Sequence, residues 1–296
     1  MHPDRGILYI ATGPKYVRQA IVSAEKASEV TELPIAIVSD QDVDHPIFDY
    51  IIKDHNPKHS YIDKARNISK SPFDKTLFLD TDAYVLSDIM ELFELLDEFE
   101  LAAAVDPNEV VLRYSGERHF DNVPESVPEY NTGVIVYRNN ERVNNLMQNW
   151  VSYCTTANPN DQIGFRKALY ESDVRITALS PVYNTLINWP VQVTGEVKII
   201  HGVGGSISDS SEVEKVADRV NKKTGVRILY SLRHGHVVYP TSKYGTIITR
   251  KYSSIMRYTF DRIYTPFVHR PIYLLNKRVQ NVCDNGILNT IKKELM

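Results

Sequence analysis

This sequence has no long apolar run, few cysteines and only a small net charge. No apolar stretch in the 296 residues approaches the roughly 20 that a membrane-spanning helix needs. Two cysteines, Cys154 and Cys283, are too few and too far apart in sequence for a disulfide framework or a zinc site. A composition of 43% hydrophobic and 24% charged residues argues against disorder. The sequence therefore predicts a globular protein with one large domain and an appendage.

The N-terminal segment lacks the features of a secretory signal. It reads MHPDRGILYIATG, with an acidic residue and a short apolar stretch typical of a strand. A longer apolar region and a small-residue cleavage site are missing. We therefore expect a cytoplasmic protein.

The net charge is only −3, but basic residues concentrate toward the C-terminus. Between Arg219 and Arg278 the one acidic residue is Asp261, and aromatic and apolar residues are interleaved with the basic ones. Three interpretations stay open: a solvated basic face, contact with anionic lipid headgroups or a lipid-linked acceptor, and nucleic-acid binding. Nucleic acid is disfavoured because no recognition motif accompanies the charge. Lipid contact would place the protein at the inner face of the membrane.

Strands and helices alternate through the first 206 residues. Apolar periodicity and turn residues predict strands at 6–13, 34–40, 76–80, 101–106, 133–138 and 196–202. The same signals predict helices at 15–30, 89–99 (capped by Ser87 or Asp88), 141–154 and 161–172. This order favours a mixed, mostly parallel α/β sheet flanked by helices. Glycines and serines near 203–210 mark a boundary, so we predict a domain at 1–206 and a basic, helical extension at 207–296.

Two acidic residues follow the predicted strand at 76–80. Ligands of an open α/β sheet collect beyond the carboxyl ends of the strands, and residues i and i+2 of an extended segment point the same way. Asp80 and Asp82 should therefore face one opening, where Mg²⁺ or Mn²⁺ would relieve their repulsion and also accept phosphate. The alternative is two solvated acids at a strand end. A haloacid-dehalogenase-like phosphatase also begins with such a motif, but it needs Thr or Val where Tyr84 stands, and it places the motif in its first strand.

Several segments together resemble nucleotide-sugar glycosyltransferases of the GT-A fold, most like glycosyltransferase family 8, the glycogenin and galactosyltransferase type. They follow the family's order across residues 6–206: YIATGPKY, SPFDKTLFLDTDAYVLSD, LAAAVDP, YNTGVIVYRN, NDQIGFRKAL, PVYNTLINW and IIHGVGG. The resemblance implies a Rossmann-like GT-A domain that transfers a hexose from a nucleotide-diphosphate donor, UDP-sugars being favoured. The acceptor would be a hydroxyl of a glycan or a lipid-linked molecule, and the anomeric configuration would be retained.

The resemblance also implies roles for individual residues. Asp80 and Asp82 match the family's metal-binding motif, and His201 matches its third ligand, for Mn²⁺ or Mg²⁺. By itself His201 also suits a strand-end histidine bonded to backbone. Contacts to the nucleotide are implied for Ala11, Thr12, Tyr16, Lys64, Arg66, Asp80 and Thr81. Tyr16 suits a core-packing aromatic equally well, and Lys64 and Arg66 suit a solvated helix face.

Sugar and acceptor contacts are implied for Asn131, Thr132, Gly133, Asp161, Gln162, Trp189 and Gly204. Asp161 joins Asp80 and Asp82 as a candidate catalytic residue, although it also suits a helix cap, and Trp189 also suits the core. Two positions depart from the family. Ile207 stands where a phosphate-binding lysine is frequent, and Thr12-Gly13 replaces an acid after the first strand.

A second class of function stays open. A relative of the same fold could bind a nucleotide sugar or glycan without turning it over. The intact pair of acids and His201 favour the enzyme, because a decayed site would more readily have lost one of them.

Overall fold

The fold is taken from a computed structural model, which describes residues 4–107, 122–154, 161–187, 189–202, 210–230, 236–240 and 245–248. Its strands are β1 (Arg5–Ala11), β2 (Ile35–Ser39), β3 (Tyr50–Lys53), β4 (Lys75–Leu79), β5 (Ala83–Val85), β6 (Leu101–Val105), β7 (Tyr130–Arg138), β8 (Ile176–Ala178), β9 (Thr185–Leu186), β10 (Val191–Val193), β11 (Ile199–His201), β12 (Arg227–Tyr230), β13 (His236–Pro240) and β14 (Gly245–Ile248). Its α-helices are α1 (Pro14–Ser28), α2 (Ile62–Asn67), α3 (Glu91–Glu94), α4 (Glu141–Tyr153), α5 (Asp161–Tyr170) and α6 (Ser210–Val220).

A seven-stranded sheet in the order β3-β2-β1-β4-β7-β6-β8 forms the centre of the described structure. Its neighbouring strands pair in parallel except for β7, which runs antiparallel to both β4 and β6. The prediction of a mixed, mostly parallel α/β sheet flanked by helices is therefore confirmed.

Both faces of this sheet are buried, which explains why its strands are continuously apolar. On one face α1 packs through Ala20, Ala24 and Ala27. On the other face α4 packs through an apolar stripe that includes Trp150, which is completely buried. These two layers hold the strand ends in place.

Two helices begin at residue types that favour a helix N-terminus. Pro14 opens α1 directly after Gly13, whose φ of 96° is the left-handed conformation that glycine adopts without strain. At α4 the side chain of Asn140 accepts a hydrogen bond from the backbone N–H of Val143 at 2.9 Å.

The predicted helix at 89–99 is wrong in length. Only α3 is α-helical there, and a 3₁₀ turn over Leu95–Asp97 follows it. Asp88 does bond the backbone N–H of Met90 at 2.9 Å, close to the predicted cap. Two short turns already bury Leu92 and Leu96, and the chain must then turn to enter β6.

Two smaller sheets contain the strands from β9 onward together with β5. One has the order β5-β11-β9, and the other has the order β10-β12-β13-β14. Helix α6 packs through Val213, Val216 and Val220 against an apolar cluster that also contains Ile200. The boundary at 206 and the helical extension stay predictions, since all of 203–209 and all of 249–296 lie outside the described residues. None of the described helices is both long and apolar enough to cross a membrane.

Candidate functional site

The candidate site lies where the strand order of the main sheet reverses. The chain leaves β1 toward β2 on one side, whereas β4 leads to β7 and β6 on the other. Ligands of open α/β sheets bind in the crevice that such a reversal leaves at the carboxyl ends of the strands. The ends concerned here are those of β1 at Ala11 and of β4 at Leu79.

Asp80, Asp82 and His201 converge at the end of β4. Nε2 of His201 lies 3.6 Å from a carboxylate oxygen of Asp80 and 3.4 Å from one of Asp82. All three donor atoms lie within 4.8 Å of one another. Ligands about 2.1 Å from one octahedral ion lie about 3 to 4 Å apart, and two carboxylates with an imidazole suit Mn²⁺ or Mg²⁺. The donor set therefore fits a single divalent cation.

The two carboxylates meet through a turn and not through the pleat of an extended strand, so the geometric premise of the prediction was wrong. The backbone N–H of Ala83 donates to the carbonyl of Asp80 at 2.9 Å, which reverses the chain between β4 and β5. Strand β5 then pairs antiparallel with β11, which places His201 opposite Ala83. The backbone of Gly202 closes the arrangement by donating to the carbonyl of Asp82 at 3.1 Å.

The orientation of the His201 ring is fixed by its neighbours. Nδ1 lies 2.9 Å from the side-chain oxygen of Asn184, whose amide nitrogen donates to Asn131 at 2.9 Å. Nδ1 therefore carries the proton, and Nε2 is left to face the carboxylates. Gly133 lies against the same ring, so that a Cβ there would be 2.0 Å from Cε1 of His201. Sequence reasoning missed Asn184, although it lies in the segment PVYNTLINW that carries the resemblance.

The ring of His201 bonds the side chain of Asn184, so the alternative of a histidine bonded to backbone is wrong. Burial opposes a charge on this ring, but the carboxylates of Asp80 and Asp82 outweigh burial and raise the pKa of His201 to about 9. That rise shows how strongly the pocket favours positive charge.

Lys64 is buried in the site and not on a solvated helix face. Its Nζ lies 2.9 Å from both carboxylate oxygens of Asp80 and 3.2 Å from Oδ2 of Asp161. Burial disfavours the ammonium charge, yet Asp161 and Asp80 together hold the pKa of Lys64 above its ordinary value. Burial likewise opposes ionisation of Asp80, but Lys64 and His201 lower the pKa of Asp80. Lys64 therefore holds two acidic residues in place at the edge of the candidate metal triad of Asp80, Asp82 and His201.

Asp161 opens α5 as predicted, and its carboxylate is also tied into the site. Oδ2 accepts a hydrogen bond from the hydroxyl of Thr132 at 2.7 Å, and the backbone carbonyl accepts one from the indole of Trp150 at 2.8 Å. The helix-end and site interpretations therefore hold together.

Gln162 and Asn131 form a second polar group beside Asp161. The amide nitrogen of Gln162 donates to Asp106 and to Glu129, each at 2.9 Å, and Asn131 donates to Asp106 at 3.0 Å and to Gln162 at 3.1 Å. Asp106 and Glu129 are buried acidic residues that sequence reasoning did not single out. Asp106 directly follows β6, and that position at a strand end was the available signal.

The residues predicted around β1 lie at its carboxyl end. Ala11 is buried, and the hydroxyl of Thr12 donates to Asp63 at 3.0 Å. Tyr16 is 48% exposed, which rules out the core-packing alternative. Arg66 instead bonds the backbone carbonyl of Asn56 at 2.8 Å, so the structure separates it from Lys64.

Three further predicted residues have different outcomes. The hydroxyl of Thr81 lies 3.3 Å from the side-chain oxygen of Gln19 on α1. Trp189 is 44% exposed and hence not a core residue. Gly204 lies outside the described residues.

Residues 75–202 match the family model described as nucleotide-diphospho-sugar transferase. Solved structures similar to the chain include the galactosyltransferase LgtC in complex with donor and acceptor sugar analogues (16% identity, 61% of this chain and 75% of that one, TM-score 0.46). Others are the glycosyltransferase GlyE of Streptococcus pneumoniae (18%, 75% and 65%, TM-score 0.48) and mouse xyloside xylosyltransferase 1 (16%, 68% and 98%, TM-score 0.46). No curated protein sequence matches significantly. The matched stretch 75–202 contains Asp80, Asp82 and His201.

Proposed function

We propose that this protein is a metal-dependent glycosyltransferase that moves a hexose from a nucleotide-diphosphate donor to an acceptor hydroxyl. The observation that carries the proposal is the convergence of Asp80, Asp82 and His201 at the strand-order reversal of the sheet. The family match over 75–202 supports a nucleotide-diphosphate sugar as the substrate. Neither observation names the sugar; UDP-sugars are proposed from the resemblance to glycosyltransferase family 8.

Asp80, Asp82 and His201 would hold Mn²⁺ or Mg²⁺ in this account. Such an ion supplies charge stabilisation for a diphosphate leaving group. The chain contributes the preorganised donor set, since Lys64 fixes Asp80 and Asn184 fixes His201 before any ligand arrives.

Asn131, Thr132 and Gln162 would bind sugar hydroxyls on the other side of the triad. Their amides and hydroxyl both donate and accept hydrogen bonds, which suits hydroxyl groups. Gly133 lets the backbone of β7 approach the ring of His201, so the sugar-binding and metal-binding groups share one wall.

We propose retention of the anomeric configuration. A double displacement through the enzyme needs a free carboxylate nucleophile. The candidate, Asp161, has only 6% of its side chain exposed and binds Lys64 and Thr132. The bond between the anomeric carbon and the diphosphate would break, the acceptor oxygen would bond that carbon on the same face, and an oxygen of the departing diphosphate would take the acceptor proton. An inverted product anomer, detected by NMR, would contradict this stereochemistry.

A transfer assay tests the proposed function. Purified protein is incubated with a panel of nucleotide-diphosphate sugars and Mn²⁺, with glycan and lipid-linked acceptors, and acceptor mass and nucleotide release are measured. We expect an acceptor mass gain that is lost in Asp82→Asn and kept in the exposed control Asp173→Asn. Nucleotide binding with no product under any acceptor would favour the non-catalytic relative.

We also propose a cytoplasmic location with peripheral contact to anionic membrane through the basic segment 219–278. Lys222 and Lys223, which follow the end of α6 and are exposed, support it within the described part of this segment. Flotation with anionic vesicles at low salt tests it, and absence of the protein from the floating fraction would contradict it.

A further inference from the structure

One strained residue lies at the rim of the candidate site. His59 is the only residue other than glycine with a positive φ among the described residues, at 50°. This left-handed conformation is unfavourable for residues with a Cβ and is free for glycine. Such outliers concentrate at ligand sites, where surrounding contacts hold them.

The contacts that hold His59 come from one buried carboxylate. Asp63 accepts hydrogen bonds from the backbone N–H of His59 at 2.7 Å and of Lys58 at 2.8 Å. The same carboxylate accepts the hydroxyl of Thr12 at 3.0 Å, which ties this turn to the end of β1. The backbone conformation at 58–59 is therefore built in by the fold.

This arrangement places an exposed imidazole beside Gly13. Nδ1 of His59 lies 3.9 Å from the position that a Cβ would take at Gly13, and the side chain is exposed. Tyr16, also exposed, lies one turn further along, with its N–H bonded to the carbonyl of Gly13 at 3.2 Å. Two ring side chains thus flank the carboxyl end of β1.

A nucleoside diphosphate has its base and its diphosphate at opposite ends. With the diphosphate at the triad after β4, the base must extend toward β7 or toward β1. The β7 side carries the amides, hydroxyl and carboxylates around Asn131 and Asp161, which the proposed function assigns to the sugar of the donor. The β1 side, one or two strand spacings or roughly 5 to 10 Å away, carries the exposed rings.

We infer that the strained turn presents the imidazole of His59 as a stacking surface for the nucleobase of the donor. This inference rests on the proposed function, and it assigns His59 the positioning of the base. Bases stack on histidine and tyrosine rings regardless of base identity, so His59 contributes affinity for the nucleoside end of the donor rather than a preference for one base.

Two variants separate the ring from the strain. His59→Ala removes the ring and keeps a strained backbone, whereas His59→Gly removes both. His55→Ala, in the same exposed loop, is the matched control. Affinities are measured for the nucleoside diphosphate that binds the wild type best among UDP, GDP, ADP and CDP, for its nucleoside, and for pyrophosphate, all with Mn²⁺.

Both His59 variants should bind the nucleoside diphosphate and the nucleoside roughly 5- to 100-fold more weakly, the range that corresponds to one lost base–aromatic stack. Pyrophosphate binding should be unchanged, and His59→Gly should melt at a higher temperature than His59→Ala. The control should behave like the wild type.

Unchanged nucleotide affinity in both variants, or an equal loss of pyrophosphate affinity, would overturn this inference alone. A wild type that binds none of the nucleotides but still binds Mn²⁺ would overturn the proposed function, and this inference with it.

Discussion

Substituting Gly133 by alanine should damage the candidate metal triad without replacing any of its three side chains. The added Cβ would lie 2.0 Å from Cε1 and 2.5 Å from Nε2 of His201, more than 1 Å inside ordinary contact. The backbone of Gly133 cannot readily retreat, because its carbonyl accepts the N–H of Asp80 at 2.8 Å and its N–H donates to Asn131 at 3.0 Å. The ring must therefore leave Asn184 and the carboxylates.

Overpacking of this kind costs about 1–3 kcal/mol of unfolding free energy. Loss of an outer partner of a metal ligand lowers metal affinity about 10- to 100-fold, so displacing the ligand itself should cost at least about 100-fold. Urea denaturation measures the first quantity and calorimetric titration with Mn²⁺ the second. Gly225→Ala is the control, because a Cβ there meets no atom within 4 Å.

A double variant identifies the clash as the cause. In the background of His201→Ala the obstructing ring is gone, so Gly133→Ala should then cost less than about 0.5 kcal/mol, a coupling expected of residues in contact. If Gly133→Ala matched Gly225→Ala in stability and in Mn²⁺ affinity, the described geometry of the triad would be refuted.

Three further substitutions test the packing around the site. Lys64→Met removes the ammonium group that lies between the carboxylates of Asp80 and Asp161. The unfolding free energy should fall by about 3 kcal/mol, the lower end of the roughly 3–5 kcal/mol range for a broken buried ion pair, because Asp80 is partly exposed. Unchanged urea denaturation would contradict the role of Lys64. The hydroxyl of Tyr84 is buried and has no hydrogen-bond partner among the described residues. Tyr84→Phe should therefore raise the unfolding free energy by about 1 kcal/mol. A lower unfolding free energy would show that the hydroxyl does form a hydrogen bond. Glu100→Gln should lower stability by about 1–3 kcal/mol at neutral pH, because hydrogen bonds hold the pKa of Glu100 below its ordinary 4.5 despite burial. The stabilisation by the Glu100 carboxylate is present above the pKa that Glu100 has in the unfolded chain and is lost as the pH falls through its pKa in the folded protein. The difference in unfolding free energy between wild type and Glu100→Gln should therefore shrink on acidification, and a larger difference at low pH would contradict this reasoning.

The sheet and the proximity of Asp80 and Asp82 could be predicted from sequence because their signals are local or follow from strand order, whereas His201 was singled out only by the resemblance to a known family. The apolar runs of β1, β2 and β4 mark strands buried on both faces, and residues after such strands collect at one edge. Asp80 and Asp82 were found in this way, although the turn that joins them was not.

The choice between Lys64 and Arg66 shows what sequence could not settle. Two residues apart on α2, they point about 160° from each other around the helix axis, so only one can face the site. Which one does so depends on the packing of Ala65 and Ile68 against the sheet, and that packing is a tertiary contact.

Asn184, Asp63 and the strained turn at His59 were missed for the same reason. Asn184 and Asp63 each act through a partner that is distant in sequence, namely His201 for Asn184 and Thr12 for Asp63. No periodicity or composition records such a pair. Histidine is one of the residues enriched at positive φ, but such residues are too rare for the sequence to predict one at a given position.

The most direct test of the central claim is thermal stabilisation by nucleoside diphosphates with and without Mn²⁺. A ligand that binds the native state raises the melting temperature by mass action. The account predicts that at least one nucleoside diphosphate stabilises the wild type only when Mn²⁺ is present, and that Asp82→Ala abolishes the shift. Stabilisation that persists in Asp82→Ala, or no shift with any nucleotide, would contradict a metal-held nucleotide sugar at this site.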